Sequence, residues 1–179
     1  MDEPVNNTEK KTIKIDGTNN RYMMKKISHN LEKTKTRIGM ENVNISDIDD
    51  QLNIISDISN NTINEFTEIT TQEIKKKISG YKQQDMKKML FQSTEFVTFQ
   101  DVLGKMVDCK LSCRYCKVKM LLLYDLSREK KQWTIDRIDN DVGHNSNNVH
   151  LACLECNLKR RRTSDEKYLF TKQITITRI

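Results

Sequence analysis

The chain is poor in the residues that make turns and broad sheets. Only one of its 179 residues is proline, five are glycine, and aromatic side chains make up 6%. All-β sandwiches need frequent turn residues, so this composition argues against such a fold and favours helices. Hydrophobic residues reach 36% and the mean hydropathy is −0.73. We therefore expect a small core that only part of the chain builds.

Long apolar runs are also missing. The longest is the short "MLLLY" stretch at residues 120–124, far below the roughly 18 residues that span a membrane. No hydrophobic signal segment is seen, so we expect a soluble, intracellular protein, in the cytoplasm or the nucleus. The five cysteines would then be reduced, and clustered reduced thiols more often bind metals than form disulfides.

Positive charge is absent from one block of the chain. Residues 41–74 contain no Lys or Arg and eight acids, whereas residues 1–40 carry a net charge of +4 and residues 75–179 a net charge of +10. A polyanion such as nucleic acid should therefore bind the second half.

The composition predicts three regions in an α+β protein. Residues 1–40 have few large apolar side chains and are expected to be a mostly disordered basic arm. Residues 41–92 are expected to be helical, acidic first and then lysine-rich. Residues 93–179 are expected to form a small metal-stapled module.

The acidic block contains an amphipathic helix pattern. Apolar side chains recur at steps of three and four residues and form one stripe; they are Ile45, Ile48, Leu52, Ile55 and Ile58. Two interpretations remain open, because the stripe can pack on the chain's own next helix or bind a partner, either a second copy or another protein.

Two further helix starts have capping-box spacing. Thr70 with Glu73 predicts the start of the lysine-rich helix, and Thr98 with Asp101 predicts a short helix that ends near the first cysteines. The first of these helices should present a shared face, formed by Ile74, Ile78, Tyr81 and Met89.

Beyond residue 117 the apolar period changes to two, which is typical of strands. The alternating residues are Val118, Met120, Leu122 and Tyr124, with a return at Trp133 and Ile135. We predict a hairpin from them, then a polar loop, the short "VHLA" stretch, and a helix whose core face carries Leu154 and Leu158. Residues 171–179 alternate as a final edge strand.

Four cysteines form two C-x-x-C pairs, Cys113 with Cys116 and Cys153 with Cys156. Such pairs supply the four thiolates of a tetrahedral structural zinc site. A redox dithiol and unrelated buried cysteines are the alternatives. Cys109 is left over and is expected to pack at a helix end.

The segment "WTIDRIDNDVGHNSNNVHLACLECNLKR", residues 133–160, resembles the HNH endonucleases of the His-Me finger group. Their ββα-metal module often has a zinc-binding C-x-x-C pair on each side. The resemblance covers about residues 109–165. The family's Asp-His, loop Asn and helical His or Asn align with Asp136-Arg137, Asn148 and Asn157, and Arg160 replaces the motif's closing lysine.

The resemblance departs from the family at Arg137, where the family has its general base. Arginine cannot accept a proton near neutral pH. The pattern "DRID", "GH" and "NV" looks like a virus- or phage-type variant, and it makes His144 in the loop the candidate base. An ordinary exposed loop histidine is the alternative, and His150 is a weaker candidate. Arg137 could clamp a phosphate or pair with Asp139 or Asp141.

Other roles follow from the resemblance. Asp136 and Asn157 would hold a catalytic Mg²⁺ or Mn²⁺, with Asn157 facing the strand pair, and Asn148 would orient the loop. The basic run should neutralise nucleic-acid phosphates, with a nuclear-localisation cluster as the alternative; it consists of Lys159, Arg160, Arg161 and Arg162.

Together these features predict a metal-dependent endonuclease acting on DNA, with RNA as a second candidate substrate. A catalytically inactive, zinc-stabilised nucleic-acid-binding module and a protein adaptor are the alternatives.

Overall fold

The computed structural model describes Arg37 and residues 47–174. The predicted basic arm lies outside the described residues except for Arg37, and so do Ile45 and residues 175–179 of the predicted last strand. The described part contains five helices and one sheet of two strands, so it is α+β.

The first helix, α1 (Ile48–Ser59), begins after Asp47, whose side chain accepts a hydrogen bond from the backbone N–H of Asp49 at 3.0 Å. Its apolar stripe points into the protein, where Ile55 is buried and Ile48, Leu52 and Ile58 are half-buried against the core. The helix packs on α2 (Thr67–Lys88) and α3 (Phe99–Cys109). The chain's own helices thus contact this stripe, and binding of a partner through it stays a prediction.

The start of α2 differs from the predicted one. The helix begins after Phe66, and Thr70 is buried inside it rather than capping it. Asn64 sets the earlier start, because its side-chain oxygen accepts from the N–H of Phe66 at 2.9 Å and from the hydroxyl of Thr67 at 3.1 Å.

Met89 does not lie on the shared face of α2 that the sequence predicted. It lies beyond the last helical residue with φ at 57°, and 92% of it is exposed.

The start of α3 is confirmed. Thr98 accepts from the N–H of Asp101 at 3.2 Å, and the Asp101 carboxylate accepts from the N–H of Thr98 at 2.8 Å. The helix ends at Cys109, which is half-buried with its sulfur 3.6 Å from the carbonyl of Met106. Lys110 then takes a left-handed conformation and turns the chain toward the cysteine pair.

The predicted hairpin is wrong. The sheet pairs β1 (Trp133–Arg137) with β2 (Val149–Cys153), antiparallel, with Trp133 opposite Cys153 and Arg137 opposite Val149. Residues 118–124 form isolated bridges instead. One physical reason is the side chain of Gln51 in α1. Its oxygen accepts from the N–H groups of Leu122 and Leu123 at 2.6 and 3.2 Å, which satisfies donors that a partner strand would otherwise take.

Helix α4 (Leu154–Arg160) follows β2 directly, and α5 (Asp165–Gln173) ends the described chain. Leu158 was predicted on the core face of α4 but is 63% exposed. The buried residues of α4 are Cys156 and Arg160 instead. Residues 171–173 belong to α5, so the start of the predicted edge strand is helical.

The core lies between the helices and the sheet. Trp133 and Ile135 of β1, Leu151 of β2 and Met106 of α3 are buried there. Within the described residues, no helix has the length and apolar character needed to cross a bilayer.

Candidate metal centre and adjoining polar sites

The four paired cysteines converge on one point. Their sulfur atoms all lie within 4.8 Å of one another, and those of Cys116 and Cys153 are 3.8 Å apart. A tetrahedron with metal–sulfur bonds of ~2.3 Å has sulfur–sulfur edges of ~3.8 Å. These donors can therefore hold a metal ion. In the described part of the chain, no other group of three or more His, Cys, Asp or Glu side chains has comparable spacing.

A tight turn carries the first cysteine pair, Cys113 and Cys116. We call this turn the cysteine knuckle (residues 109–119). The N–H of Cys113 bonds to the carbonyl of Val118 at 2.9 Å, and Lys117 has a φ of 59°. The second pair comes from the junction of β2 and α4. There the backbone N–H of Cys153 donates to the Cys113 sulfur at 3.3 Å.

The close sulfurs also change each other's acidity. A hydrogen bond from the Cys153 thiol lowers the pKa of Cys113 to about 4, although burial opposes the shift. The same hydrogen bond raises the pKa of Cys153. One sulfur is thus stabilised as the thiolate, which is the form that binds metals.

Asp136 and Arg160 form a buried ion pair between β1 and α4. One carboxylate oxygen of Asp136 is 2.9 Å from Arg160, and the other accepts from the hydroxyl of Tyr115 at 2.7 Å. Arg160 also donates to the carbonyl of Ile138 at 2.7 Å and is only 1% exposed. The expectation that Arg160 contacts nucleic-acid phosphate therefore does not fit its burial.

Asn157 faces the strand pair, as expected. Its amide nitrogen donates to the hydroxyl of Thr134 at 3.0 Å and to the carbonyl of Ile135 at 3.4 Å. Asp136 and Asn157 do not fit a divalent ion as they are arranged, because the guanidinium of Arg160 already occupies the place of a cation at Asp136. The predicted Mg²⁺ or Mn²⁺ site stays a prediction.

His144 is buried, with 4% exposure, instead of lying exposed in the loop. Its ring Nδ1 is 2.7 Å from one oxygen of Asp85, and its backbone N–H donates to the other at 2.6 Å. The ring also packs on Tyr81, with centroids 4.6 Å apart. Burial lowers the pKa of His144, and the Asp85 carboxylate opposes this shift. The ring Nε2 has no hydrogen-bond partner among the residues described.

Asn148 organises the loop between the strands. Its side-chain oxygen accepts from the N–H of Asp139 at 2.9 Å, and its nitrogen donates to the carbonyls of Asp139 and Gly143, both at 2.9 Å. Gly143 is required at its position, because a Cβ there would lie 2.4 Å from the carbonyl oxygen of Leu90. Asn148 thus orients the loop, and a catalytic role for it stays a prediction.

A basic groove runs beside this loop. Its cavity of about 490 Å³ is lined by four cations, namely Lys88, Arg137, Arg161 and Arg162. Arg137 donates to the carbonyl of Val142 at 3.2 Å, and the described residues include no ion pair between it and Asp139 or Asp141. Arg162 lies 3.5 Å from Asp141 in a pair that is exposed on both sides, so solvent screens it. Lys159 pairs with Glu155 on the surface at 2.7 Å.

The predicted site residues thus fall into two groups. Asp136 lies on β1 and Asn157 on the adjoining α4, whereas His144 and Asn148 lie in the loop. Within the described chain no hydrogen bond joins the two groups.

Sequence reasoning missed two residues that contact the predicted site. Asp85 binds the ring of His144, and Tyr115 donates to Asp136. Asp85 carried a signal, because it is the one acid between residues 74 and 94 of a lysine-rich segment. Tyr115 carried none.

Searches of protein-family models, of curated proteins and of solved structures find no match to this chain.

Proposed function

We propose that the chain is a DNA endonuclease with an HNH-like site and a structural zinc ion. The observation that carries the proposal is the His144–Asp85 pair beside the basic groove. A positioned imidazole next to a basic surface is a combination suited to phosphodiester hydrolysis. The order β1, loop, β2 and α4, with one cysteine pair before β1 and the second pair at the junction of β2 and α4, also supports the proposal.

Zinc is the metal that best suits the cysteine cluster. Four thiolates leave no open coordination position, so the ion would fix the knuckle against α4 and take no part in the reaction.

His144 is the proposed general base. Because Asp85 engages Nδ1, Nε2 is the ring nitrogen that can accept a proton. Burial lowers the pKa of His144, which favours the neutral ring that can accept a proton. In the proposed reaction a water oxygen bonds to phosphorus, its proton passes to Nε2, the bond from phosphorus to the 3′ oxygen breaks, and solvent protonates the leaving oxygen. Since His144 is buried, residues 138–148 must shift to admit the substrate.

The basic groove would bind the substrate backbone. Arg137 can hold two oxygens of one phosphate because the guanidinium is planar, and Arg161 and Arg162 add charge at the end of α4. Binding through these contacts should weaken as salt rises.

Dependence on Mg²⁺ or Mn²⁺ remains part of the proposal because the resemblance implies it. Asp136 and Asn157 are the implied ligands, and Arg160 would first have to release Asp136. No step described above uses this ion.

A catalytically inactive nucleic-acid-binding module is the second candidate. Two observations favour it. Both oxygens of Asp136 are engaged by other side chains, and His144 is buried.

The test uses purified full-length protein and supercoiled plasmid, with Mg²⁺, with Mn²⁺ and with a chelator, while bound zinc is measured in each sample. We expect cutting that falls by on the order of 100-fold or more in His144→Gln, whereas Arg128→Gln, which changes an exposed arginine that does not line the basic groove, cuts normally. Plasmid binding without cutting would favour the inactive module. Full cutting by His144→Gln would rule out the proposed base.

A further inference from the structure

A second basic cavity lies beside the cysteine knuckle. We call it the knuckle pocket. It has a volume of about 300 Å³ and lies between the end of α3, the knuckle and β2. This volume is at the lower end of the roughly 300–1,000 Å³ typical of small-ligand sites. It shares no lining residue with the basic groove.

Cations dominate the wall of the knuckle pocket. Lys105, Arg114 and Lys117 line it, against a single acid, Asp108. Contacts hold two of these cations in place. The backbone N–H of Arg114 bonds to the carbonyl of Leu151 at 3.0 Å, and its half-exposed guanidinium lies 3.6 Å from the carboxylate of Asp165. The ammonium of Lys117 donates to the carbonyl of Arg114 at 3.0 Å. Positive charge held in a concave surface attracts anions more strongly than the same charge on mobile side chains.

His150 supplies a polar group to the same pocket. Its Nε2 points inward, 2.8 Å from the hydroxyl of Tyr115 and 3.3 Å from Asp165. The Tyr115 hydroxyl gives its own proton to Asp136 at 2.7 Å, so Nε2 must be the donor to Tyr115. The inward contacts therefore hold the ring in a fixed orientation, and its Nδ1 has no hydrogen-bond partner in the part of the chain described.

The surface around the pocket continues the positive charge. Lys110 and Lys119 are exposed on the same knuckle, where the ammonium of Lys119 donates to the carbonyl of Lys110 at 2.8 Å. An extended anion would satisfy this surface better than a single small one. A nucleic-acid backbone places phosphates at regular intervals along such a path.

We propose that the knuckle pocket is a second phosphate-binding site, which holds a backbone phosphate of a nucleic acid through Arg114, Lys117 and Lys105. The identity of the polyanion as DNA rests on the proposed function, whereas the phosphate site itself does not. The substrate would then be held at two places, the basic groove and the knuckle, so the duplex would be fixed in orientation as well as in position.

Anisotropy of a short labelled DNA duplex, titrated with the full chain at several salt concentrations, tests the site. The variants are Arg114→Gln, Lys117→Gln and the two combined. The matched controls are Arg128→Gln and Lys167→Gln, which alter exposed cations outside the pocket. Zinc content is measured in every variant, because Arg114 and Lys117 adjoin metal-binding cysteines, and Lys105→Gln provides a variant outside the knuckle.

We expect each pocket variant to weaken DNA binding by roughly 3- to 10-fold and to reduce the salt slope by about one. The controls should bind as the parent does. Pocket variants that keep their zinc and bind DNA as tightly as the controls would overturn the proposal. Because the readout is binding, loss of affinity in a protein that never cuts DNA would support the pocket and contradict only the nuclease function.

The source of the phosphate is resolved by the NMR signals of the His150 ring. Inorganic phosphate, deoxyadenosine 5′-monophosphate and the duplex are added separately. A response to the duplex alone assigns an internal backbone phosphate, and an equal response to the monophosphate assigns a terminal one. No response to any of the three would overturn the site.

Discussion

The carboxylate of Asp85 holds two atoms of His144 at once, the backbone N–H at 2.6 Å and the ring Nδ1 at 2.7 Å. Asp85 lies near the end of α2 and is fully buried, whereas His144 lies in the loop between the strands. This pair fixes both the loop and the imidazole, so one side chain links the helical region to the proposed site.

Replacing Asp85 with Asn should weaken both stability and cutting. The amide has one accepting oxygen where the carboxylate has two, so one of the two buried N–H groups of His144 would lose its acceptor. This should cost about 1–3 kcal/mol in the free energy of unfolding. It also loosens the ring, so cutting should fall on the order of 100-fold. Urea denaturation and the plasmid assay measure the two effects, with Asp125→Asn as the surface control. Unchanged stability would show that the pair does not hold the loop.

Gly143→Ala should destabilise the protein by about 1–3 kcal/mol, because the new methyl group would lie 2.4 Å from the carbonyl oxygen of Leu90 and 3.0 Å from Asp85. Gly80→Ala is the matched control. It lies within α2 with no atom within 4 Å of the added Cβ, so it should stabilise by about 0.5–1 kcal/mol. Thermal unfolding distinguishes them. Equal effects of the two changes would contradict the tight contact at the loop.

Cys156→Ser should abolish metal binding and unfold the region around the knuckle, because a site of four thiolates couples metal binding to folding. Cys109→Ser should keep the metal, since that sulfur lies outside the cluster. Metal analysis of natively prepared protein and circular dichroism report the two properties. A fold that survives in Cys156→Ser without bound metal would contradict a structural zinc ion.

The pair of Asp136 and Arg160 should show strong coupling. Arg160→Met leaves a buried carboxylate without its partner and should cost about 3–5 kcal/mol. Adding Asp136→Asn should restore part of this loss, because the uncompensated charge disappears. A double-mutant cycle in urea measures the coupling. If the two losses simply add, the ion pair contributes nothing to the fold.

Lys77 should make stability depend on pH. Its ammonium donates to the carbonyl of Trp133 and to Gln132, and burial lowers its pKa from 10.5 to about 7. Between these two values the unfolded chain binds more protons, so the free energy of unfolding should rise with pH across this window. The slope contributed by this group should approach about 1.4 kcal/mol per pH unit.

Lys77→Met should remove that slope. Urea denaturation of both proteins at pH 7, 8 and 9 makes the comparison, and the other titrating groups cancel because the two proteins share them. Parallel curves would show that Lys77 keeps its ordinary pKa.

Local patterns were enough for part of this protein. The capping box of Thr98 and Asp101 and the stripe of α1 depend on residues three or four apart, which the helix geometry brings together. The two C-x-x-C pairs likewise indicated a metal cluster, because each pair places two sulfurs within reach of one ion.

The strand pairing could not be predicted in this way. The alternation at residues 118–124 is real, but Gln51, about 70 residues earlier in the chain, takes the N–H groups of Leu122 and Leu123. Whether a segment becomes a strand depends on which groups form hydrogen bonds with its backbone. The packed structure decides which groups are near enough to do so.

By itself, the sequence determined the cysteine cluster, the capped start of α3 and the basic second half, because short spacing and composition decide those features. Only the tertiary structure decided that Asp85 holds His144 and that Arg160 turns inward to Asp136. Those pairs lie 59 and 24 positions apart, and which distant charges meet depends on how the helices and the sheet pack.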